Sequence, residues 1–345
     1  MAAEETSLRA AQLYRKFLCD HIKRPPAAGT GSVTLEESGA LENQYDERKV
    51  TINIQIESTN SVAKTALESG NFGIALSCYR KILGLDPEYH DALWGLAEAS
   101  YGIGDKGAAL DWYQRYLDKY PEDPEAAHMV AALGNGPKPL RADDNYVRET
   151  FNRFAEDFER QLLEDLEYQA PNLIYALFAG NGGDGECNMN ILDAGCGTGL
   201  SGIHFKSHAR RLTGVDLSPE MLKLAKKRAI YDELLEDELS VCMRARPGTF
   251  DLIVATDVFC YIGDLSETMQ AAWTALKPSG RLIFSVEAQS TRGFTLTDTG
   301  RYAHKPAYVQ KIAKSSGFCQ IAGRTDRLRT EYGDPVKGYF TMLEK

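Results

Sequence analysis

The amino-acid sequence predicts an α/β protein in which a mostly parallel sheet with a terminal antiparallel hairpin follows an all-α domain of helical repeats. Two observations predict this fold: an internal repeat between residues 59 and 136, and a later alternation of apolar runs with amphipathic stretches. A chain of 345 residues is long enough for two folded domains. We therefore expect an N-terminal helix and flexible linker at 1–58, the repeats at 59–136 and the α/β domain at 137–345.

The composition is that of a globular protein, with 43% hydrophobic and 26% charged residues. The chain has 39 Lys and Arg against 49 Asp and Glu, a net charge of −10 that repels polyphosphate. We therefore expect no nucleic-acid partner. No apolar run approaches the roughly 20 residues that a membrane-spanning helix needs, so we expect no membrane insertion either.

Cysteine usage and the N-terminal sequence predict a cytoplasmic protein. None of the seven cysteines forms a C-x-x-C pair. The first 25 residues lack the apolar core of a secretory signal, and the acidic Glu4, Glu5 and Asp20 disfavour a transit peptide. No combination of residues predicts a metal site.

Residues 24–58 have the Pro-, Gly- and polar-rich composition of a linker, and we expect them to be poorly ordered. Near the end of this stretch Val50, Ile52, Ile54 and Ile56 alternate with polar residues. Such an alternation places the four side chains on one face of an extended chain. A short strand, or a segment docked on a neighbour, therefore remains open.

The repeat becomes visible when the sequence is compared with itself at an offset of 34 residues, the separation of Ala63 and Ala97. Four further pairs match at this offset: Gly70 and Gly104, Ala75 and Ala109, Tyr79 and Tyr113, Pro87 and Pro121. Small residues allow two helices to approach closely, and the proline ends each pair. The pattern resembles two tetratricopeptide repeats with a capping helix at Glu125 to Leu133. A plain helical bundle is the alternative, and a peptide-binding groove would be the associated function.

The second half of the chain alternates strands with helices, which predicts a Rossmann-like parallel sheet covered on both sides. The strands are predicted at Asn190 to Asp193, Arg211 to Asp216, Asp251 to Thr256 and Arg281 to Val286. The helices are predicted near 200–208, 218–229, 265–276 and 306–316. Phe318 to Ala322 and Pro335 to Leu343 follow as two strands without a long helix between them, which predicts the edge hairpin.

A glycine loop follows the first of these strands, in the sequence Ile191-Leu-Asp-Ala-Gly-Cys-Gly-Thr-Gly199. Gly195, Gly197 and Gly199 allow a ligand to approach the backbone without interference from Cβ atoms. With Gly202 the last two also satisfy G-x-G-x-x-G, so a dinucleotide site is an alternative.

Two aspartates bear on that choice. Asp193 ends the strand before the loop, where it would repel a pyrophosphate but could pair with the ammonium of an amino-acid ligand. Asp216 ends the second strand and could accept hydrogen bonds from both ribose hydroxyls of either kind of cofactor. The pair therefore favours an amino-acid nucleoside over a dinucleotide.

Four motifs in this order resemble those of class I S-adenosylmethionine-dependent methyltransferases: D-A-G-C-G-T-G, V-D-L-S-P-E-M-L, F-D-L-I-V-A-T-D-V and L-K-P-S-G-R-L. More narrowly, the segments at 231–234, 261–265 and 300–304 behind helical repeats resemble predicted methyltransferases that carry tetratricopeptide repeats. The resemblance implies S-adenosylmethionine as the cofactor, with these binding residues: Asp193, Gly195, Cys196, Gly197, Gly199, Asp216, Leu217, Met221, Glu238, Leu239, Asp257 and Val258. The chain departs from the family pattern at Glu236 to Glu238, which are all acidic, so a solvated acidic turn is the alternative there.

The candidate catalytic residues are Asp257, Tyr261 and His304. Asp257, Val258 and Tyr261 follow the fourth strand, at the sheet edge where the reactive methyl group would lie. Methyl transfer needs a base only when the nucleophile carries a proton, and His304 could serve as one. Plain packing is the alternative for each of these side chains. Upstream, Tyr146 and the aromatic residues of 151–158 resemble the helix that covers the cofactor in this family.

We expect a methyltransferase that acts on a small molecule. The alternative is a protein methyltransferase whose repeats recruit the substrate protein. A catalytically silent scaffold would need a damaged glycine loop, whereas Asp193, Asp216 and the loop glycines are intact. An NAD-dependent enzyme is disfavoured by Asp193, as argued above.

Overall fold

The computed structural model describes residues 39–134, 136–156, 158–160, 162, 166–331 and 334–345. The predicted N-terminal helix and the first part of the predicted linker lie outside these residues. The described chain forms two compact units, one ending at Val130 and the other beginning at Ala131. We describe each unit by itself.

The first unit is all-α, as expected. Its helices are α1 (Gly39–Glu68), α2 (Phe72–Leu85), α3 (His90–Gly102), α4 (Lys106–Lys119) and α5 (Pro124–Leu133), the last of which continues into the second unit. The residues that defined the repeat are those on which the helices pack, since Ala63, Ala75, Ala97 and Ala109 are fully buried. Gly70 and Gly104 make the turns between paired helices with φ of 72° and 85°, which glycine adopts without a steric penalty.

The prediction for residues 39–58 was wrong, because this stretch belongs to α1 and is neither a linker nor a strand. Ile56 is buried in the core of the repeats, whereas Val50 and Ile54 are exposed on the helix surface. The apolar alternation therefore does not mark a buried strand face. The boundary predicted at residue 58 falls inside a continuous helix.

The second unit contains a nine-stranded sheet within the described residues. Its strands are β1 (Met189–Ala194), β2 (Ala209–Asp216), β3 (Glu233–Glu236), β4 (Phe250–Ala255), β5 (Leu276–Ala288), β6 (Phe294–Leu296), β7 (Tyr302–His304), β8 (Cys319–Glu331) and β9 (Asp334–Glu344). The order begins β3-β2-β1-β4-β5, and all four of these pairings are parallel. The chain reverses its winding direction between β1 and β4, which is where open α/β sheets bind their ligands.

Three helices of this unit precede β1, and the other five lie between strands as predicted. They are α6 (Asp144–Phe154), α7 (Phe158–Arg160), α8 (Ala170–Ala179), α9 (Gly202–Phe205), α10 (Pro219–Lys227), α11 (Leu239–Arg244), α12 (Ser266–Ala275) and α13 (Pro306–Ser315). Apolar side chains of β1, β4 and β5 are fully buried in the core, among them Leu192, Ile253 and Phe284. This rigid centre fixes the strand ends that carry the site.

The terminal hairpin is confirmed, and it is longer than predicted. β9 pairs antiparallel with both β5 and β8, so β9 lies between them. The sequence did not indicate β3 clearly, nor the small antiparallel pair β6 and β7. None of the helices in the described part of the chain has the length and apolar character needed to cross a membrane.

Candidate active site

The glycine loop connects β1 to α9 and is held by the end of β2. The amides of Gly195 and Cys196 both donate to the carbonyl of Val215, at 2.8 and 2.9 Å. Gly195, Gly197 and Gly199 have φ values of 72°, 53° and 93°, so all three use the left-handed region that suits glycine. The Cys196 side chain is buried rather than presented to a ligand.

Asp193 lies under this loop with only 2% of its surface exposed. The hydroxyl of Tyr231 donates to Asp193 Oδ2 at 2.7 Å. Burial raises the pKa of Asp193 to about 7, a net value that includes the lowering effect of the Tyr231 hydrogen bond and the raising effect of the Asp216 charge. Asp193 therefore has no cationic partner among its described contacts, and Tyr231 is a site residue that our prediction omitted.

Asp216 ends β2 and accepts two backbone hydrogen bonds. The amide of Gly197 donates to Oδ2 at 2.8 Å, and the amide of Ser218 donates to Oδ1 at 2.9 Å. Burial raises the pKa of Asp216 despite these bonds. Each carboxylate oxygen has a second lone pair, so the two oxygens retain acceptor capacity for a pair of hydroxyls.

The turn after Asp216 is fixed by α6, the predicted covering helix. Asn152 Oδ1 accepts from Ser218 Oγ at 2.7 Å, and Arg148 Nε donates to the carbonyl of Leu217 at 3.3 Å. Met221 is buried one turn into α10. Leu217 and Met221 thus belong to the turn and first helical turn that follow Asp216, and their contact with a nucleoside stays a prediction.

The aromatic segment that follows α6 covers the glycine loop. A Cβ atom placed on Gly197 would lie 4.0 Å from Phe158 Cε1. Arg228 holds this segment to the loop, because its Nε donates to the carbonyl of Thr198 at 2.6 Å and its guanidinium pairs with Glu159. Sequence reasoning missed Arg228.

Glu238 lies at the N-terminus of α11. Its carboxylate accepts from the amide of Val241 at 2.9 Å as the N-cap of α11, and it lies 3.5 Å from Arg141 Nη1. Leu239 packs against the core. These two residues are therefore occupied by structural contacts in the described chain, and the acidic turn is not simply solvated.

Asp257 and Val258 lie directly beyond β4. Asp257 has a φ of 57°, which is uncommon for a residue other than glycine, and its amide donates to Ser285 Oγ at 2.8 Å. Val258 contacts the glycine loop, since a Cβ atom on Gly195 would lie 2.4 Å from Val258 Cγ2. The structure thus brings Asp257 to the same sheet edge as Asp193.

Tyr261 and His304 are both packed. The Tyr261 ring meets Phe151 edge-on with centroids 5.5 Å apart. His304 is fully buried in β7, where its Nε2 bonds to the carbonyl of Gly263 at 3.0 Å and its ring stacks on Tyr308. Burial lowers the pKa of His304 to about 4, so the ring is neutral at pH 7.

The residues present fit S-adenosylmethionine. Gly197 has open space where a Cβ atom would lie, whereas Val258 fills that space at Gly195. Asp193 precedes the loop on β1, and Asp216 on β2 accepts a hydrogen bond from the Gly197 amide. Two hydroxyls at this sheet edge, Thr198 Oγ1 and Thr256 Oγ1, are buried without a hydrogen-bond partner among the described residues. Buried polar atoms normally have partners, so these two hydroxyls are consistent with a polar ligand at the edge.

The comparisons with known proteins agree with both parts of the fold. Residues 192–284 match the family model of a methyltransferase domain, and residues 63–124 match that of a tetratricopeptide repeat. These matches confirm the resemblance seen in the sequence. The chain carries a methyltransferase domain and tetratricopeptide repeats.

Two relatives are O-methyltransferases. A ubiquinone biosynthesis O-methyltransferase of Colwellia psychrerythraea is 28% identical over 120 residues, which cover 33% of this chain and 48% of that protein. A malonyl-[acyl-carrier protein] O-methyltransferase of Priestia megaterium is 34% identical over 182 residues, or 45% of this chain and 65% of that protein. The chain spans less than two thirds of either relative.

Among solved structures, magnesium protoporphyrin IX methyltransferase from Synechocystis with bound SAH is similar. It is 23% identical with a TM-score of 0.46, and the match covers 59% of this chain and all of that one, 100%.

Proposed function

We propose that this protein is an S-adenosylmethionine-dependent methyltransferase that acts on an oxygen atom of a small molecule. The observation that carries the proposal is the arrangement of Asp193 and Asp216 around the glycine loop. The methyltransferase-domain match and the two O-methyltransferase relatives support it. We expect the protein to be cytoplasmic.

Asp193 and Asp216 would hold the two ends of the cofactor. The carboxylate of Asp193 would pair with the methionine ammonium, directly or through water, because it has only a phenol as side-chain partner in the structure. Asp216 would accept the ribose hydroxyls while it holds the Gly197 amide in place. S-adenosylmethionine supplies a methyl group that its sulfonium has already activated, so alignment and exclusion of water are the protein's main contributions.

The covering segment and the packed aromatic residues would exclude water. Phe158 and Phe151 meet edge-on at 5.9 Å, and Phe151 meets Tyr261 in the same way. We propose that Tyr261 belongs to this wall. We propose that His304 positions the turn at Gly263 rather than acting as a base, because it is fully buried and bonded there.

Isothermal titration calorimetry with S-adenosylmethionine and with NAD tests the proposal. We expect micromolar binding of S-adenosylmethionine, no binding of NAD, and loss of cofactor binding in Asp216→Ala. Asp326→Ala is the matched control, since Asp326 is an exposed aspartate on β8. Preference for NAD, or equal binding by the Asp216 and Asp326 variants, would contradict the proposal.

The competing proposal is a protein methyltransferase whose repeats recruit the substrate, and the repeat match supports it. Incubation of the enzyme with methyl-labelled S-adenosylmethionine and a cell extract separates the two. Label in the small-molecule fraction supports the first proposal. Label in the protein fraction that disappears when residues 39–130 are deleted supports the second.

A further inference from the structure

Four charged side chains form a cluster beside the site, which we call the Asp257 network: Asp257, Glu287, Arg301 and Arg329. They come from separate elements: Asp257 follows β4, Glu287 is in β5, Arg301 precedes β7 and Arg329 is in β8. Two strands and two connecting segments of the second unit therefore converge on one point.

Arg329 is the centre of the network. Its Nη1 lies 3.2 Å from Asp257 Oδ2, and its Nη2 pairs with Glu287 Oε1. Arg301 Nη1 lies 3.4 Å from the same Glu287 oxygen. Arg329 is fully buried, and the side-chain exposures of Asp257, Arg301 and Glu287 are 13%, 11% and 10%. The Arg329 side chain is thus more deeply buried than either carboxylate.

Stability alone does not account for such a network. Charged residues are rarely buried, and a buried ion pair is often no more stabilising than apolar side chains of the same volume. Asp257 also holds a positive φ of 57°, which is strained for a residue with a side chain. Backbone strain of this kind is found mainly at functional sites.

The network is next to the glycine loop. β1 and β4 are paired with Asp193 opposite Val254, so Asp257 extends beyond β4 at the level of the loop that extends beyond β1. Val258, the next residue, is in contact with Gly195. Tyr168 and Cys260 surround Asp257, and burial together with the Asp257 charge raises the pKa of both groups. Asp257 is the only charged group of the network adjacent in sequence to a residue touching the loop.

We propose that Arg329 is a positioning residue which fixes the Asp257 carboxylate toward the methyl acceptor, and that the acceptor presents a hydroxyl rather than a carboxylate. The proposal rests on the methyltransferase function above. A fixed carboxylate accepts a hydrogen bond from a hydroxyl and repels another carboxylate.

The reaction balances without a further reactant. A lone pair of the hydroxyl oxygen forms the new C–O bond, and the S–C electron pair stays on sulfur as the sulfonium becomes a thioether. The hydroxyl proton passes to the Asp257 carboxylate and then to solvent. A carboxylate acceptor would need no such group.

The arginines of the network do not favour a carboxylate acceptor. Arg329 is enclosed, and both guanidiniums are directed to Glu287. The carboxylate of such an acceptor would have to lie next to both Asp257 and Glu287. Like charges in such a site destabilise binding, so the geometry selects against this class of acceptor.

The experiment uses the full chain, methyl-labelled S-adenosylmethionine and two sets of probes. The hydroxyl probes are catechol, phenol and glycerol, and the carboxylate probes are malonate and acetate. Products are treated with alkali, which releases label from methyl esters as methanol and leaves methyl ethers intact. We expect alkali-stable label on at least one hydroxyl probe and none on the carboxylates.

Variants then test the role of Arg329. Arg329→Met and Asp257→Asn are each expected to lower kcat on the hydroxyl probe at least about tenfold. For Arg329→Met, the dissociation constant of S-adenosylmethionine, measured by calorimetry, should stay within about twofold. Arg329→Lys keeps a positive charge and should recover part of kcat. Arg324→Met is the control, because Arg324 is an exposed arginine on the same strand.

The unfolding temperature Tm shows whether Arg329 and Asp257 are energetically coupled. Arg329→Met removes the cation that pairs with Asp257, while Glu287 keeps Arg301, and should lower Tm by several degrees. Adding Asp257→Asn to that variant should raise Tm again, since one unpaired charge is removed.

The outcomes separate the two proposals. Failure to bind S-adenosylmethionine would overturn the proposed function. With the cofactor bound, three results overturn the present inference alone: ester label on malonate or acetate, no label on any hydroxyl probe, or an unchanged kcat in Arg329→Met at a temperature where it is folded.

Discussion

Two buried aspartates, one in each unit, have pKa values that are shifted in opposite directions. Asp91 in α3 and Asp193 in β1 are 6% and 2% exposed. Burial raises the pKa of both groups, but hydrogen bonds from His90, Lys64 and Asn60 reverse the effect at Asp91 and hold its pKa below the usual range. At Asp193 the pKa rises to about 7.

The difference lies in the partners. Lys64 Nζ and His90 Nε2 lie 2.6 and 2.8 Å from the Asp91 carboxylate, so the chain itself supplies the compensating cation. Asp193 has a neutral phenol instead. Asp91 therefore joins helices, whereas we propose that a cation from outside the chain stabilises Asp193.

The largest effect should come from breaking the Asp91 contacts. Asp91→Ala leaves Lys64 and His90 without their carboxylate and should destabilise the protein by about 3 kcal/mol. Calorimetric unfolding checks this, with Asp111→Ala as an exposed control in α4. Cofactor affinity should not change. An Asp91 variant as stable as the control would show that the contacts in the repeats contribute little.

The replacement Asp193→Asn should act on binding instead. We expect the affinity for S-adenosylmethionine to fall by about tenfold to a hundredfold, as for loss of a charged hydrogen-bond partner. With a pKa of about 7, the ionised fraction of Asp193 falls between pH 8 and pH 6, and wild-type affinity should fall about tenfold over that range. Calorimetry at both pH values measures both effects, and a flat wild-type profile would contradict the ammonium pairing.

The pH dependence of the free energy of unfolding, measured without cofactor, tests the raised pKa of Asp193 independently of binding. The folded pKa of Asp193 lies above its unfolded value of 3.8, so its contribution is complete below about pH 4 and is lost as pH rises through 7. Asp193→Asn should therefore be less sensitive than the wild type to a rise from pH 4 to pH 8.

The smallest effect compares two glycines. Gly104 in the repeats and Gly197 in the loop have φ of 85° and 53°, and neither would place a Cβ atom closer than 4.0 Å to another side chain. Alanine at either position should cost about 1 kcal/mol of stability. Only Gly197→Ala should weaken S-adenosylmethionine binding, measured beside Gly248→Ala as a control in the same unit with φ of 58°. Equal binding by all three variants would place the cofactor away from the loop.

Much of the fold could be predicted because the residues that become buried form a clear hydrophobic pattern in the sequence. The central strands carry continuous apolar runs, and the repeats place alanine at the helix contacts. β3 has only four residues, none of them fully buried, so its pattern is weak. Residues 39–58 were misread because tertiary context, not the local alternation, makes them part of a 30-residue helix.

The site was predicted where backbone geometry imposes residue types. Glycines at positive φ and acidic residues at strand ends can be recognised in the sequence. The structure brings Asp193, Asp216 and Asp257 to one edge of the sheet. Tyr231, Arg228 and Arg329 were missed because their roles depend on contacts between distant segments. A buried arginine is also the opposite of what residue preference predicts, although a bulge between Arg327 and Arg329 accompanies it in β8.

The order of strands in the hairpin has a consequence for how the chain folds. β8 pairs with β9, and β9 in turn pairs with β5. β8 is synthesised before β9, but it can join the sheet only after β9 (Asp334–Glu344) has paired with β5. The contact between Arg329 and Asp257 therefore depends on β9, which is synthesised well after the glycine loop.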